Sequence, residues 1–225
     1  MNLIKSTTTF SFFTLISRIL GYFRDILIAI YFGSGPIADA FFVAFRIPNT
    51  FRRLFSEGTF NAAFVPSYSS ELALGKKRSK KFANKIFNLL LISLILIVLI
   101  IEIFMPSFIF IIAPGFSDNV DKLNLTITLT RITFPFLLFV SLSSFFSAIL
   151  NSHNKFAAAA AAPIFLNIFM ILVLFLQSYL NDQLVIYLSY AVTLAGIIQL
   201  IFLLFFVKKF YFPSFTFNFK IDSRV

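Results

Sequence analysis

The chain is 225 residues long, 59% hydrophobic and only 12% charged, with a mean hydropathy of +0.94, whereas a soluble domain carries roughly 25% charged residues; the composition therefore specifies an all-α integral membrane protein. It contains no cysteine and a single histidine, His153, which excludes disulfide and thiolate chemistry and argues against histidine catalysis, a multi-histidine metal site or a bound cofactor. A net charge of +10 would suit nucleic acid in a soluble protein, but here the basic residues fall mostly between apolar runs, so membrane lipids with anionic headgroups are the expected partner and nucleic acid is not.

A helix needs about 20 residues to cross the hydrocarbon core, and six segments are long enough: approximately 7–32, 37–68, 86–112, 125–150, 157–178 and 184–207. Together they define a six-helix transmembrane lobe over residues 1–210. The Met1–Thr9 segment resembles a signal peptide only weakly, because the apolar run after it is broken by Arg18, and it is expected to be retained. Turns are expected at Gly33–Pro36, Ala113–Asp118, Asn151–Asn154 and Asn181–Gln183. Between the second and third segments lies the basic run Lys76, Lys77, Arg78, Lys80 and Lys81, which the positive-inside rule places in the cytoplasm. Alternation then puts Lys5, Lys155, Lys208 and Lys209 on the same side, so both termini are expected there. Residues 211–225 alternate aromatic and polar side chains and are expected to form an interfacial tail. Pro48, Pro106, Pro135 and Pro163 lie within or at the ends of spans, and each should free a carbonyl that needs another partner.

The stretch from Ser17 to Pro66 carries Arg18, Arg24, Asp25, Asp39, Arg46, Arg52, Arg53 and Glu57 inside otherwise apolar sequence. A charge at the bilayer centre costs roughly 2.5–3.5 kcal/mol on the insertion scale, so these side chains must face protein, water or a ligand. On a helical wheel of about 100° per residue, Thr14, Ser17, Arg18, Gly21, Arg24 and Asp25 share an arc of about 120°. Gly21 leaves room there for a ligand or a neighbouring helix. On the second helix Asp39, Arg46, Asn49, Arg53 and Glu57 share about 80°, while Arg52 points elsewhere unless Pro48 kinks the helix. Structural ion pairing, with Arg53 and Glu57 one turn apart, would satisfy part of this charge. Five arginines against three acids nevertheless leave 5 − 3 = +2, and arginine at every basic position suits bidentate capture of phosphate. An anionic ligand and a purely structural or water-cavity role are the two readings. Glu102 and Arg131 are expected to form a separate salt bridge. No nucleophile and base pair, phosphate loop, catalytic carboxylate pair or metal spacing is present, so the chain does not read as an enzyme.

The runs Ser17-Arg18-Ile-Leu-Gly21-Tyr-Phe-Arg24-Asp25 and Asp39-Ala-Phe-Phe-Val-Ala-Phe-Arg46-Ile-Pro48-Asn49 through Arg52-Arg53, Glu57-Gly58 and Pro66 closely resemble the start of MurJ/MviN lipid II flippases. Ala113–Phe116, Ile132–Pro135, Ala148–Asn151 and Pro163 with Asn167 are similar too. The resemblance implies one lobe of a two-lobe multidrug/oligosaccharidyl-lipid/polysaccharide exporter fold in the bacterial cytoplasmic (inner) membrane. Its substrate would be lipid II, an undecaprenyl-diphosphate-linked glycopeptide moved from inner to outer leaflet for peptidoglycan synthesis. Arg18, Arg24 and Arg52 would bind the diphosphate; Ser17, Asp25, Asp39, Glu57 and Arg53 would serve gating or the cavity. The family has two lobes and fourteen helices, so the resemblance covers only the first, and a second lobe on a separate chain is one expectation. Other readings are a flippase for another polyprenyl-diphosphate-linked oligosaccharide, a non-transporting scaffold, or an inactive remnant.

Overall fold

The computed structural model describes the backbone of residues 3–56, 59–180 and 183–214, and the side chains of residues 8–50, 60–180 and 183–214. Helix α1 (Leu3–Phe32) runs 30 residues, about 45 Å at 1.5 Å per residue. It ends where Gly33 adopts φ +58 and its N–H reaches the Ala29 carbonyl, a left-handed closure that suits glycine. Pro36 then opens α2 (Pro36–Ser56) with Asp39 in its first turn, where the helix dipole favours an acid. Next come α3 (Thr59–Ala73), α4 (Lys76–Ile103) and α5 (Met105–Ile112), followed by a 3-10 turn at Pro114–Phe116. The remaining helices are α6 (Val120–Thr133), α7 (Phe136–Ser152), α8 (Phe156–Ala161), α9 (Ile164–Phe175), α10 (Gln177–Leu180) and α11 (Leu184–Val207). No strand occurs among the described residues.

Prolines set the breaks. Pro106, Pro135 and Pro163 mark where α4 passes into α5, α6 into α7 and α8 into α9, because a ring without an N–H cannot continue the ladder. Pro48 is instead carried inside α2, which leaves the Ala44 carbonyl without its intrahelical donor. The Thr133 hydroxyl donates to that carbonyl at 2.9 Å. At the α6–α7 break the Thr193 hydroxyl likewise donates to the Ile132 carbonyl, at 2.5 Å. The freed carbonyls are thus converted into ties between helices, as apolar surroundings require.

Four helical stretches are long and apolar enough to cross a membrane: Lys76–Ile103, Val120–Ser152, Phe156–Phe175 and Leu184–Val207. Helix α11 packs on α7 and α9, α2 on α6 and α7, α3 and α4 on α7, and α1 on α8 and α9. One apolar cluster joins Ile28, Phe41, Phe45, Met170, Leu174 and Leu188 toward the Gly33 end. A second stacks Phe64, Tyr68, Phe87, Phe145 and Phe146 toward the Gly75 end. Burial of these rings accounts for part of the high phenylalanine content in terms of packing rather than composition alone.

Several boundaries differ from the residue pattern. Helix α4 begins at Lys76 rather than near residue 86, so the basic run occupies its first turns with no acid in the first turn, against the preference set by the helix dipole, and Arg78 Nε lies 4.0 Å from Oε2 of Glu71 on α3. The second segment is helical as far as Ala73. Glu102 and Arg131 form no ion pair within 4.0 Å: Arg131 is exposed, whereas Glu102 Oε1 is buried without a hydrogen-bond partner. Tyr211, expected to begin an interfacial tail, is 1% exposed. Its hydroxyl donates to Asn84 Oδ1 at 2.6 Å, and its ring packs against both Phe145 and Phe146. Residues 215–225 lie outside the described residues.

Candidate functional site

The polar arc of α1 meets α9. Arg24, whose side chain is 13% exposed, donates through Nε at 2.9 Å and Nη2 at 2.7 Å to Oδ1 of Asp25. Its Nη1 donates at 2.8 Å to Oδ1 of Asn167 on α9. The guanidinium carbon sits 5.4 Å from the centroid of the Phe45 ring on α2, within reach of a cation–π attraction. Asn167 Nδ2 turns back to α1 and donates to the Ser17 carbonyl at 2.8 Å, with Ser17 Oγ at 3.5 Å. Ser17, Arg24 and Asp25 are therefore joined at one locus.

Gly21 faces that locus. A Cβ there would stand 3.6 Å from Asn167, ordinary contact, so the open space on this arc is filled by a neighbouring helix and glycine is not sterically required. Counting from Gly33, Arg24 lies nine residues into α1, about 13–14 Å along the axis. Arg46 lies about as far into α2 from Pro36. The two cations thus sit at comparable depth on the first two helices.

Arg18 and Arg46 are exposed and form no ion pair among the described residues. Asp25 neutralises Arg24 only partly, since its carboxylate is 62% exposed. Asp39 is not at this locus. It accepts from Lys122 Nζ at 2.5 Å, and that ammonium also lies 3.9 Å from the centre of the Phe116 ring. Asn119 caps α6 by accepting from the Lys122 N–H at 2.9 Å, which fixes the first turn that presents Lys122. Asp39 therefore belongs to a second polar cluster at the Gly33 end. The side chains of Arg52 and Arg53, and Glu57 altogether, lie outside the described residues.

Residue patterning passed over the roles of Asn167, Phe45 and Lys122. Asn167 could have been found as the polar residue inside Ile-Phe-Leu-Asn-Ile-Phe-Met, since an amide in an apolar helix needs a partner. Nothing local links Lys122 to Asp39, which is 83 positions away. Phe45 carries no signal among so many phenylalanines. No cluster of three or more metal-ligating side chains occurs among the described residues.

A family model described as lipid II flippase MurJ matches residues 28–225. A curated relative from Rhizobium tropici, named probable lipid II flippase MurJ, is 46% identical over 205 residues, covering 89% of this chain and 38% of the relative. Another of that name, from Rickettsia prowazekii, is 42% identical over 93% of this chain and 41% of its own length. A solved structure described as lipid II flippase MurJ in an inward closed conformation superimposes with a TM-score of 0.76 at 31% identity, over 94% of this chain and 43% of that one. A transporter of the MOP superfamily from Pyrococcus furiosus, 18% identical with a TM-score of 0.66, shares the fold. The chain spans less than half the length of the curated relatives it matches. With the family match extending from α1 to the last residue and this identity across most of the chain, it belongs to the MurJ lipid II flippase family.

Proposed function

We propose that this chain forms the first lobe of a lipid II flippase, with six membrane spans and both termini cytoplasmic. The observation that carries this reading is Arg24: a guanidinium on an otherwise apolar helix, held by one half-exposed carboxylate and one neutral amide, with Arg18, which forms no ion pair among the described residues, on the same helix. Such a group exchanges a weak internal anion for a stronger external one. A lipid-linked diphosphate offers more charge and more acceptor oxygens than the single Oδ1 of Asp25, and arginine meets it bidentately.

In this mechanism Arg18 and Arg24, with Arg52 of α2, take the diphosphate of the undecaprenyl-linked peptidoglycan precursor, and the lipid tail stays in the bilayer. No bond is made or broken in the substrate. Asp25 releases Arg24 on binding and recaptures it on release, so the cavity is not left with an unpaired cation. Asp39 and its partner Lys122 hold α2 to α6 at the outer end and contribute to closure there, while Ser17 contributes from the α1–α9 locus; Glu57 and Arg53 are assigned to gating or the cavity. Translocation by rocking two lobes about a midplane site requires a second lobe, and the length of the relatives accords with one. The positive-inside rule supports the orientation, since Lys76, Lys77, Arg78, Lys80, Lys81, Lys155, Lys208 and Lys209 lie at the Gly75 end.

Complementation tests the reading. The whole protein carrying this lobe should restore growth of a flippase-depleted bacterium, and Arg24→Ala at equal membrane abundance should not. Full growth with Arg24→Ala would overturn the assignment of that residue.

A further inference from the structure

Asn167 is 6% exposed and accepts a hydrogen bond from Arg24 across the α1–α9 contact. Its amide has a single consistent orientation. A guanidinium only donates, so Oδ1 must face Arg24; Nδ2 is then left to donate, and it meets the Ser17 carbonyl at 2.8 Å. The side chain thus ties α9 to two points of α1, the Arg24 guanidinium and the Ser17 carbonyl. It holds Nη1 on the side away from Asp25, whose Oδ1 takes Nε and Nη2.

We propose that Asn167 is a positioning residue for anion capture: it anchors Arg24 with a neutral acceptor, so that the single carboxylate of Asp25 is the only internal charge a diphosphate has to displace. The inference rests on the reading of Arg24 as a diphosphate ligand. An amide suits this task better than either alternative. A carboxylate at position 167 would place a second anion on Arg24 and set its other oxygen against the Ser17 carbonyl oxygen. An apolar residue would leave the guanidinium free to swing wholly onto Asp25.

The test uses the whole protein carrying this lobe in lipid nanodiscs, with undecaprenyl diphosphate as probe, affinity read by native mass spectrometry and folding by thermal unfolding. Asn167→Asp should weaken binding by about tenfold or more in protein that still unfolds cooperatively, its unfolding temperature lowered by the oxygen set against the Ser17 carbonyl. Adding Asp25→Asn should restore affinity to within about threefold by returning the count of carboxylates to one. A merely structural role for Asn167 predicts no such rescue. Should Asn167→Asp fail to accumulate, Asn167→Leu replaces it, with a loss of about three- to tenfold that Asp25→Asn again recovers. Unchanged affinity in Asn167→Asp or Asn167→Leu, or absence of rescue, overturns the proposal. Arg24→Ala separates the two levels: retained affinity there overturns the reading of Arg24, whereas loss in Arg24→Ala with unchanged affinity in the Asn167 variants overturns the role of Asn167 alone.

Discussion

Gly196 on α11 sets how closely that helix approaches α7. A Cβ at position 196 would lie 2.6 Å from Cδ2 and 3.1 Å from Cε2 of Phe136, and 3.2 Å from Cβ of Phe139. Phe136 is fully buried, and the Phe139 atom is fixed to the backbone, so neither gives way freely. Overpacking of this kind costs about 1–3 kcal/mol, and contact this short with a ring that has no room belongs at the upper end. Alanine recovers roughly 0.8–1 kcal/mol of helix propensity, which leaves Gly196→Ala destabilising by about 1–2 kcal/mol. At roughly 2–4 °C per kcal/mol for a chain of this size, thermal unfolding in detergent should fall by several degrees. Gly21→Ala is the matched control: its Cβ meets only the Asn167 amide, at 3.6–3.9 Å, so the propensity gain stands and the unfolding temperature should hold or rise. Equal shifts for the two substitutions would refute the account of close packing at Gly196.

Three further outcomes follow from contacts away from the α1–α9 locus. Tyr211→Phe removes a 2.6 Å bond to Asn84 and should cost about 0.5–1.5 kcal/mol, while Tyr211→Ala, which also removes the ring packed against Phe145 and Phe146, should cost about 3–5 kcal/mol; equal losses in unfolding measurements would contradict the docking of this ring. His153 lies in the turn after α7, stacked on Phe210 with its ring centre 4.2 Å away and Nε2 3.2 Å from the Tyr68 hydroxyl; burial, and secondarily Lys76, push its pKa below the usual 6.5. The folded state then holds the neutral ring, so stability is greatest above about pH 6.5 and falls as the pH drops through that value; His153→Phe should flatten this part of the stability profile, and an unchanged acid limb would contradict it. For Lys122 and Asp39, a double-mutant cycle with Lys122→Met and Asp39→Asn should give a coupling below about 1 kcal/mol, because the carboxylate is 55% exposed; a coupling of zero would mean the pair holds nothing together.

The all-α class and the segments after residue 86 were legible because long apolar runs admit few alternatives. The basic run at Lys76–Lys81 reads as a loop because charge density hides a helix that continues from charged turns into an apolar span. Ser17, Arg24 and Asp25 were grouped correctly by periodicity alone, since a wheel reports which residues share a face of one helix. A wheel says nothing about the helix opposite, so Asn167, 143 positions from Arg24, did not enter the group. The same limit hides Lys122 from Asp39; equal distance from a turn brings Glu102 and Arg131 within electrostatic reach of each other but not within 4.0 Å. The proline rule travelled further: a carbonyl without a donor was expected, and Thr133 on Ala44 is the partner found.

The claim at the centre is that Arg24 exchanges Asp25 for the diphosphate of a lipid-linked precursor during its passage across the bilayer. Translocation of fluorescent lipid II in proteoliposomes containing the whole protein, read as the fraction that becomes accessible to a membrane-impermeant quencher, tests it directly. The account predicts rapid translocation by the unaltered protein and the protein-free rate for Arg24→Ala reconstituted at equal density. Translocation by Arg24→Ala at the unaltered rate would contradict it.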